Sequence, residues 1–220
     1  MQILELSGLE LHLLPEKAIY LPAWHSLLVA DVHLGKSETF QSFGVPVSSG
    51  ANQTTLQRLQ KLCTGLDLQT IYILGDLFHS SAALTPEILD GWQRFLEAVN
   101  AETWLLIGNH DRRLADSLRS LSMRCSAQPI EVGNLWLSHE PSVSARSHLN
   151  ICGHVHPCIR LQTRLDRLRL PCFYFNPTKG QLILPSFGEF TGGYEVSLQG
   201  NAVAYAIAED EIFPVGKVRG

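Results

Sequence analysis

The sequence lacks the features of a membrane or exported protein. No apolar run among its 220 residues approaches the length of a membrane span, and the first residues carry Glu5 and Glu10 without a cationic start or an apolar signal stretch. We therefore expect a cytoplasmic location without membrane association. The five cysteines are odd in number and include no Cys-x-x-Cys pair, which favours reduced structural thiols over a disulfide framework.

The sequence also lacks low-complexity stretches and an excess of positive charge. With 45% hydrophobic and 17% charged residues, it is long enough for one sizeable core, and we expect a single domain over residues 1–220. The formal net charge of -4 argues against a broad cationic surface for nucleic acids. It does not exclude a nucleic-acid substrate, because bound metal ions would supply local positive charge.

The chain does contain five short motifs rich in aspartate, asparagine and histidine. In chain order they are Asp31-Val32-His33, Gly75-Asp76, Gly108-Asn109-His110-Asp111, Ser138-His139 and Gly153-His154-Val155-His156. Phosphoester hydrolysis requires neutralised phosphoryl oxygens, a hydroxide near neutral pH, and in-line placement of nucleophile and leaving group. Two divalent cations roughly 3.5–4 Å apart meet all three requirements. The motifs supply every ligand of such a two-metal phosphoesterase centre.

Asp76 is the natural ligand to bridge the two cations, because one anion between two dications offsets their mutual repulsion. The mixture of carboxylate, imidazole and amide ligands indicates Mn²⁺, Fe or Zn²⁺, since Ca²⁺ and Mg²⁺ prefer all-oxygen ligands. Among the three, Mn²⁺ is our first expectation.

Short apolar runs end directly in the motifs, as buried strands with functional carboxyl ends do. These runs cover residues 27–30, 71–74, 104–107 and 135–137. Helical patterns separate the first three: one spans residues 49–66, and the other follows Thr85, an N-cap candidate, and Pro86 at the first helical position. The alternation of strand and helix predicts parallel pairing.

After Asn150 the pattern changes to short strand candidates separated by Pro, Gly and Asn turns. These candidates cover residues 172–175, 181–184, 194–198 and 202–207. At the N-terminus, residues 9–14 and 18–21 suit a hairpin around Pro15-Glu16. We therefore predict an α/β fold of two packed mixed β-sheets flanked by helices.

The motifs resemble those of the calcineurin-like metallophosphoesterase superfamily, whose pattern runs D-x-H, G-D, G-N-H-[DE], H and G-H-x-H. The resemblance implies a four-layer α/β/β/α sandwich and a specific division of ligands. It assigns Asp31, His33, Asp76 and His156 to one metal, and Asp76, Asn109, His139 and His154 to the other.

In the same pattern His110 is a catalytic residue that faces the phosphate or the leaving oxygen. A histidine beside two dications can donate to the leaving alkoxide or to charge that develops on the phosphoryl oxygens. Many relatives place an aspartate three residues after the bridging carboxylate, where it orients this histidine. Here His79 occupies that position, and we expect its imidazole to support His110.

A narrower resemblance is to the small bacterial ligase-associated DNA damage response endonucleases of the PdeM type. It is carried by residues 29–36 (Val-Ala-Asp-Val-His-Leu-Gly-Lys), 75–80 (Gly-Asp-Leu-Phe-His-Ser) and 184–193 (Leu-Pro-Ser-Phe-Gly-Glu-Phe-Thr-Gly-Gly). This resemblance implies a DNA repair nuclease with a single-stranded DNA substrate and a metal-bound hydroxide as nucleophile. It also implies DNA ligase or helicase partners, and dimers occur among the related nucleases.

Three residues are candidates for substrate contact. Lys36 and Arg112 follow the first and third motifs and suit phosphate binding, while Phe187, like Phe190, suits stacking on bases. The plainer interpretation of the two phenylalanines is a hydrophobic plug under a glycine turn. Two other functions stay open: hydrolysis of a small nucleotide or diphosphate-linked metabolite, and a non-catalytic partner protein on the same fold. The intact ligand set argues against the latter.

Overall fold

The computed structural model describes residues 1–42, 44–45, 50–118, 120–143, 148–162, 167–189 and 191–216. In these ranges the strands form two sheets. The first sheet follows chain order, antiparallel from β1 to β4 and parallel from β4 to β7. Its strands are β1 (Gln2–Leu6), β2 (Leu9–Leu14), β3 (Ala18–Leu21), β4 (Ser26–Val29), β5 (Thr70–Ile73), β6 (Glu102–Leu106) and β7 (Arg124–Ser126).

The second sheet is also mixed and is built from the later part of the chain. Its strands are β8 (Ile130–Val132), β9 (Leu135–Leu137), β10 (Leu149–Cys152), β11 (Pro157–Gln162), β12 (Arg167–Asn176), β13 (Gln181–Ile183), β14 (Tyr194–Glu195), β15 (Val203–Ala208) and β16 (Glu211–Gly216). They are ordered β14-β11-β12-β13-β10-β9-β8, and β15 pairs with both β12 and β16. Parallel pairing joins β9, β10 and β13.

Helices connect the parallel strands of the first sheet. They are α1 (Lys36–Ser42), α2 (Ala51–Thr64), α3 (Pro86–Val99) and α4 (Ala115–Leu118), with 3-10 turns at Pro22–Trp24, Ser81–Ala83 and Asp111–Leu114. Thr85 caps α3 as predicted, because its side chain accepts a hydrogen bond from the backbone N–H of Ile88. No helix in the described ranges is long and apolar enough to cross a membrane.

The first sheet contributes to two hydrophobic cores because successive side chains of a strand point to opposite faces. Leu27 and Val29 pack with the helices, against α3 residues such as Trp92. Leu28 instead packs with Ile151 and other residues of the second sheet. The inter-sheet core therefore sits directly behind the strand ends that carry the motifs.

The prediction of two packed mixed sheets is confirmed, but the helices are distributed less evenly between the two sheets than expected. All helices of the described residues precede β7 and connect strands of the first sheet. The third core, around Ile159 and Cys172 of the second sheet, is completed by strand and loop side chains such as Leu170, Val196 and Leu198. Of the two helical layers in the expected four-layer sandwich, the described residues thus form one.

Most predicted elements are present, with shifted ends. The N-terminal hairpin strands match residues 9–14 and 18–21. The first predicted helix begins at Ala51, and its expected start, Ser49, lies outside the described residues. The strand predicted over residues 194–198 stops at Glu195. Strands β1, β7, β8, β10, β11 and β16 were not expected, because their sequences carry polar or charged residues and no long apolar run.

Gly35 gives a test of the packing beneath the first motif. Its φ is +80°, and a Cβ there would lie 2.0 Å from the Cβ of Ala83. We expect Gly35→Ala to lower the free energy of unfolding by about 3 kcal/mol or more, since both a left-handed backbone and a clash are imposed. Gly8→Ala is the matched control, because its φ is +73° with no atom within 4 Å. It should cost only about 1–2 kcal/mol.

Urea unfolding of both variants measures the difference. Equal losses would show that the backbone conformation alone, without the close approach to Ala83, explains the glycine.

Candidate metal centre

The predicted ligands follow the carboxyl ends of parallel strands in both sheets. Asp31 and Asp76 come after β4 and β5, and His139 and His154 after β9 and β10. The first two loops run side by side, since Asp31 N–H donates to the Gly75 carbonyl (3.1 Å) and His33 N–H to that of Asp76 (2.9 Å). The fold therefore delivers residues over 100 positions apart to one place.

Potential ligand atoms of the described residues form three groups, each within 4.8 Å, and two of these clusters match the two predicted metal sites. One of the two consists of Asp31, His33 and His156, and the other of Asp76, His139 and His154. The third group, His33, His79 and His110, shares His33 with the first. Asn109 joins the second cluster, with its Oδ1 2.9 Å from His139 Nε2 and 3.1 Å from His154 Nδ1. The structure thus brings all seven predicted ligands together.

In the carboxylates of Asp31 and Asp76, one oxygen accepts a backbone hydrogen bond and the other faces the histidine nitrogens of the site. Asp31 Oδ2 accepts the backbone N–H of His154 (2.9 Å), while its Oδ1 has no hydrogen-bond partner among the described residues and lies 3.3 Å from His156 Nε2. Asp76 Oδ1 accepts the backbone N–H of His110 (3.0 Å), and its Oδ2 lies 3.5 Å from His139 Nε2 and 4.0 Å from His33 Nε2. Asp76 Oδ2 therefore sits between the two clusters, where a bridging ligand belongs.

Backbone carbonyls orient two of the histidines. The Nδ1 of His139 donates to the Leu74 carbonyl (2.9 Å), and that of His156 to the Gly192 carbonyl (3.2 Å). Each ring then keeps the lone pair of Nε2 for the centre, which is the arrangement that metal-binding histidines use. His156 Nε2 lies only 3.4 Å from His33 Nε2, so the site gathers lone pairs that divalent cations would satisfy.

Burial dominates the electrostatics of the site. It raises the pKa of Asp76, with a further contribution from Asp31, against the opposing effects of His139 and the His110 N–H. Burial, and next the Lys36 charge, lowers the pKa of His33 to about 2. His33 is thus held neutral, the form that binds metals. The donor set fits two divalent cations.

The ligand loops have an unusual backbone. Five of the seven predicted ligands are non-glycine residues in the left-handed region, with φ between 50° and 67°: Asp31, His33, Asp76, His154 and His156. Such conformations are uncommon outside glycine and cluster at functional sites. The neighbouring Gly75 must lack a side chain, because a Cβ there would lie 2.1 Å from His139 Nδ1.

His110 lies beside the clusters, with Nε2 4.0 Å from Asp76 Oδ2. Its Nδ1 donates to the backbone carbonyl of His79 (2.6 Å), and the two rings stack with centroids 4.9 Å apart. The expectation that the His79 imidazole orients His110 therefore needs correction. The orienting atom is the His79 carbonyl oxygen, and the imidazole contributes stacking while its own Nδ1 has no hydrogen-bond partner.

The three predicted substrate contacts fare differently. Lys36 lies near the centre, since Asp31 and Asp76 both act to raise its pKa against the larger lowering by burial. Arg112 shares a cavity of about 300 Å³ with His139, and its guanidinium pairs with Glu140 at 3.3 Å. The prediction that Phe187 stacks on a base is wrong, and the alternative interpretation of Phe187 as a hydrophobic plug is the correct one.

Phe187 is fully buried in the core between the first sheet and its helices. Its N–H donates to the Ala30 carbonyl (2.8 Å), and the Arg58 guanidinium covers its ring at 4.2 Å. The side chain is therefore inaccessible to a base. Phe190 lies outside the described residues.

Sequence reasoning missed two supports of the centre. Asp111 is fully buried and accepts hydrogen bonds from the backbone N–H groups of Leu77, Phe78 and Gly108. Burial, the largest influence, raises its pKa to about 6. No local pattern around Asp111 indicates this role, because two of its three donors, Leu77 and Phe78, lie 34 and 33 positions away along the chain.

The second support is the segment of residues 186–189. The Ser186 hydroxyl and the Gly188 N–H both donate to the Asp31 carbonyl, at 2.8 and 3.0 Å. Arg58 of α2 donates to the Phe187 carbonyl and pairs with Glu189 at 3.3 Å. Helix α2 thereby fixes residues 186–189 against the loop that carries Asp31. Nothing in the local sequence around Arg58 indicates this contact.

The fold and the paired ligand clusters define the class of metal-dependent phosphoesterases. The calcineurin-like phosphoesterase model matches residues 25–170, which include every predicted ligand, and the chain belongs to that family.

Two relatives show the extent of the similarity. The crystal structure of Pseudomonas putida nuclease MPE superposes with a TM-score of 0.84 at 36% sequence identity, covering 97% of this chain and 99% of that one. A 3',5'-cyclic-nucleotide phosphodiesterase of Nostoc sp. is 30% identical over 107 residues, or 48% of this chain. The chain spans only 38% of the length of that phosphodiesterase.

Asp111 allows a test of a residue that supports the site but is not a predicted metal ligand. We expect Asp111→Asn to lower the free energy of unfolding by about 1–3 kcal/mol, because an amide NH₂ faces backbone donors that the carboxylate satisfied. Asp90→Asn, an exposed position on α3, is the control and should change little. Chemical denaturation measures both. A neutral effect at Asp111 would mean that its three hydrogen bonds do not hold the two loops together.

Proposed function

We propose that this chain is a phosphodiesterase that uses two divalent cations to hydrolyse nucleic acid, with single-stranded DNA as the first candidate substrate and DNA repair as its setting. The observation that carries the proposal is the pair of ligand clusters joined at Asp76 Oδ2, with His110 Nε2 4.0 Å from the same oxygen. The likeness to nuclease MPE over nearly the whole of both chains supports a polymer substrate.

The residues divide between the two cations as the clusters do. Asp31, His33 and His156 would hold one, Asn109, His139 and His154 the other, and Asp76 both. When bound, the cations would neutralise phosphoryl oxygens and lower the pKa of coordinated water. Nitrogen and oxygen donors in this mixture suit Mn²⁺, Fe or Zn²⁺, and we propose Mn²⁺ first.

His110 is the proton donor in this proposal. The His79 carbonyl accepts from Nδ1–H, so Nε2 is aimed at the centre. In the imidazolium form, Nε2 can give its proton to the departing oxygen and the ring becomes neutral. Stacking of the His79 ring restricts rotation of the imidazole. Lys36 adds a positive charge near the metal centre, and this charge favours binding of an anionic phosphate group there.

A second candidate is hydrolysis of a small nucleotide. The similarity to the Nostoc cyclic-nucleotide phosphodiesterase favours it, although it covers about half of this chain. The two candidates separate by substrate: a polymer nuclease cleaves oligonucleotides efficiently, whereas a small-nucleotide enzyme prefers a cyclic or free nucleotide.

We also propose a cytoplasmic location. All five cysteines are free, which suits a reducing compartment. Association with a ligase or helicase stays a proposal from the family resemblance.

The first experiment is Mn²⁺-dependent cleavage of end-labelled single-stranded DNA, with bis(p-nitrophenyl) phosphate and a cyclic nucleotide alongside. We expect wild-type protein to cleave the DNA, and His110→Ala to lose about 10²–10⁴-fold in kcat while it retains metal, because only proton donation is removed. His12→Ala, in β2 and paired with Glu10, controls for loss of a histidine and should stay active. Cleavage of the cyclic nucleotide alone would replace the nuclease proposal with the second candidate.

Asp76→Asn tests the shared ligand. We expect activity to be abolished and metal content to fall at both sites, because the bridging charge that offsets repulsion between two dications is lost. Metal analysis by mass spectrometry after dialysis gives the metal-to-protein ratio. An Asp76→Asn protein that is active with full metal content would refute the shared site.

A further inference from the structure

A cavity of about 270 Å³ adjoins the metal centre, because the predicted ligand His156 forms part of its wall. Lys17, Cys158, Arg169, Ser186 and Thr191 line the rest of it, together with prolines and Gly192 and Gly193. Among the described residues of this wall there are two cations and no carboxylate. The lining therefore favours an anion.

Lys17 brings a positive charge to this wall, and it also lines a neighbouring cavity that holds Glu16, Glu209 and Asp210. It lies in the turn between β2 and β3, where its backbone N–H donates to the Leu14 carbonyl (3.0 Å). In the part of the chain that the structure describes, its ammonium has no carboxylate within 4.0 Å. Burial, followed by repulsion from Arg58, lowers its pKa despite the attraction of Glu189. An anion in the cavity would relieve this imbalance.

Arg169 is fixed in the wall by neutral acceptors. Its Nε donates to Cys158 Sγ (2.9 Å), and its guanidinium also donates to the Gly193 carbonyl. Neither contact neutralises its charge. The same segment holds the metal centre, because the adjacent Gly192 carbonyl accepts from His156 Nδ1. The cavity and the ligand cluster therefore share one wall.

A phosphate seated at the metal centre has a neighbouring phosphate when it belongs to a nucleic-acid strand. Phosphate contacts of this kind position a strand without reading its sequence. We infer that the cavity between Lys17 and Arg169 binds the phosphate next to the scissile one, and that it selects strands over isolated phosphodiesters. This inference rests on the proposed function and specifies how the same site recognises its substrate.

The test compares Lys17→Met with wild type on single-stranded DNA and on bis(p-nitrophenyl) phosphate, which has no second phosphate. We expect kcat/KM on DNA to fall roughly tenfold or more, the scale of one charge-assisted hydrogen bond, and kcat/KM on the small diester to stay unchanged. The slope of log affinity against log salt for DNA should become shallower by about 0.7. Lys17→Arg should restore DNA cleavage.

Lys179→Met is the matched control, since it removes the same charge from an exposed turn between β12 and β13 and should alter neither activity. Unchanged activity of Lys17→Met on the small diester also shows that the variant folds. If Lys17→Met misfolds, the chemically modified substrate described next tests the same contact in wild-type protein.

That substrate is trithymidylate with one neutral methylphosphonate linkage, prepared in both positional forms. Wild-type protein should cleave the charged linkage of one form about tenfold more slowly than in the fully charged trimer, whereas Lys17→Met should not distinguish them. Equal discrimination by both proteins, or equal loss on DNA and the small diester, would overturn the phosphate contact and leave the nuclease proposal intact. Absence of DNA cleavage by the wild type would overturn the nuclease proposal itself and this inference with it.

Discussion

Two buried carboxylates, Asp31 and Asp76, impose the constraint on which the rest of the structure depends. Both are at most 2% exposed, and no lysine or arginine of the described residues lies within 4.0 Å of either. Burial of an ion costs several kcal/mol even after the protein relaxes. A single backbone N–H to each carboxylate offsets only part of that cost. Divalent cations, which the ligand clusters suit, would balance the remaining charge.

The arrangement around these carboxylates joins both sheets in one site. His154, from the end of a second-sheet strand, donates to Asp31 at the end of a first-sheet strand. The segment around Gly188 donates to Asp31 again, and Arg58 secures that segment from α2. The ligand geometry thus requires that the inter-sheet core has already formed. Separation of the two sheets would break up both clusters, because each cluster contains residues from both sheets.

Much of this was predictable where the signal is local. The strands that end at Val29 and Ile73 are apolar runs followed directly by motifs. Thr85 and Pro86 predict the start of α3, because they are an N-cap residue and a proline at the first helical position. The seven ligands were named in order because their residue types match metal chemistry.

The features that were missed depend on distant contacts. Phe187 looks like a loop aromatic, and only the tertiary structure shows Arg58 above its ring. The role of the His79 carbonyl is invisible in a pattern of side chains. Lys17 is 139 positions from His156 and lies in an ordinary turn, so no spacing could connect them. Short strands such as β7 and β8 owe their existence to neighbours, because their own polar residues carry no strand pattern.

The left-handed backbone of five ligands has an evolutionary consequence. Each such residue costs of order 1 kcal/mol or more relative to glycine, and that cost is tolerated only while the side chain serves the metals. In a descendant that had lost its chemistry, exchange of these aspartates and histidines for glycine would relieve strain and remove buried charge together. Selection for stability alone would then erase the motifs faster than the surrounding core.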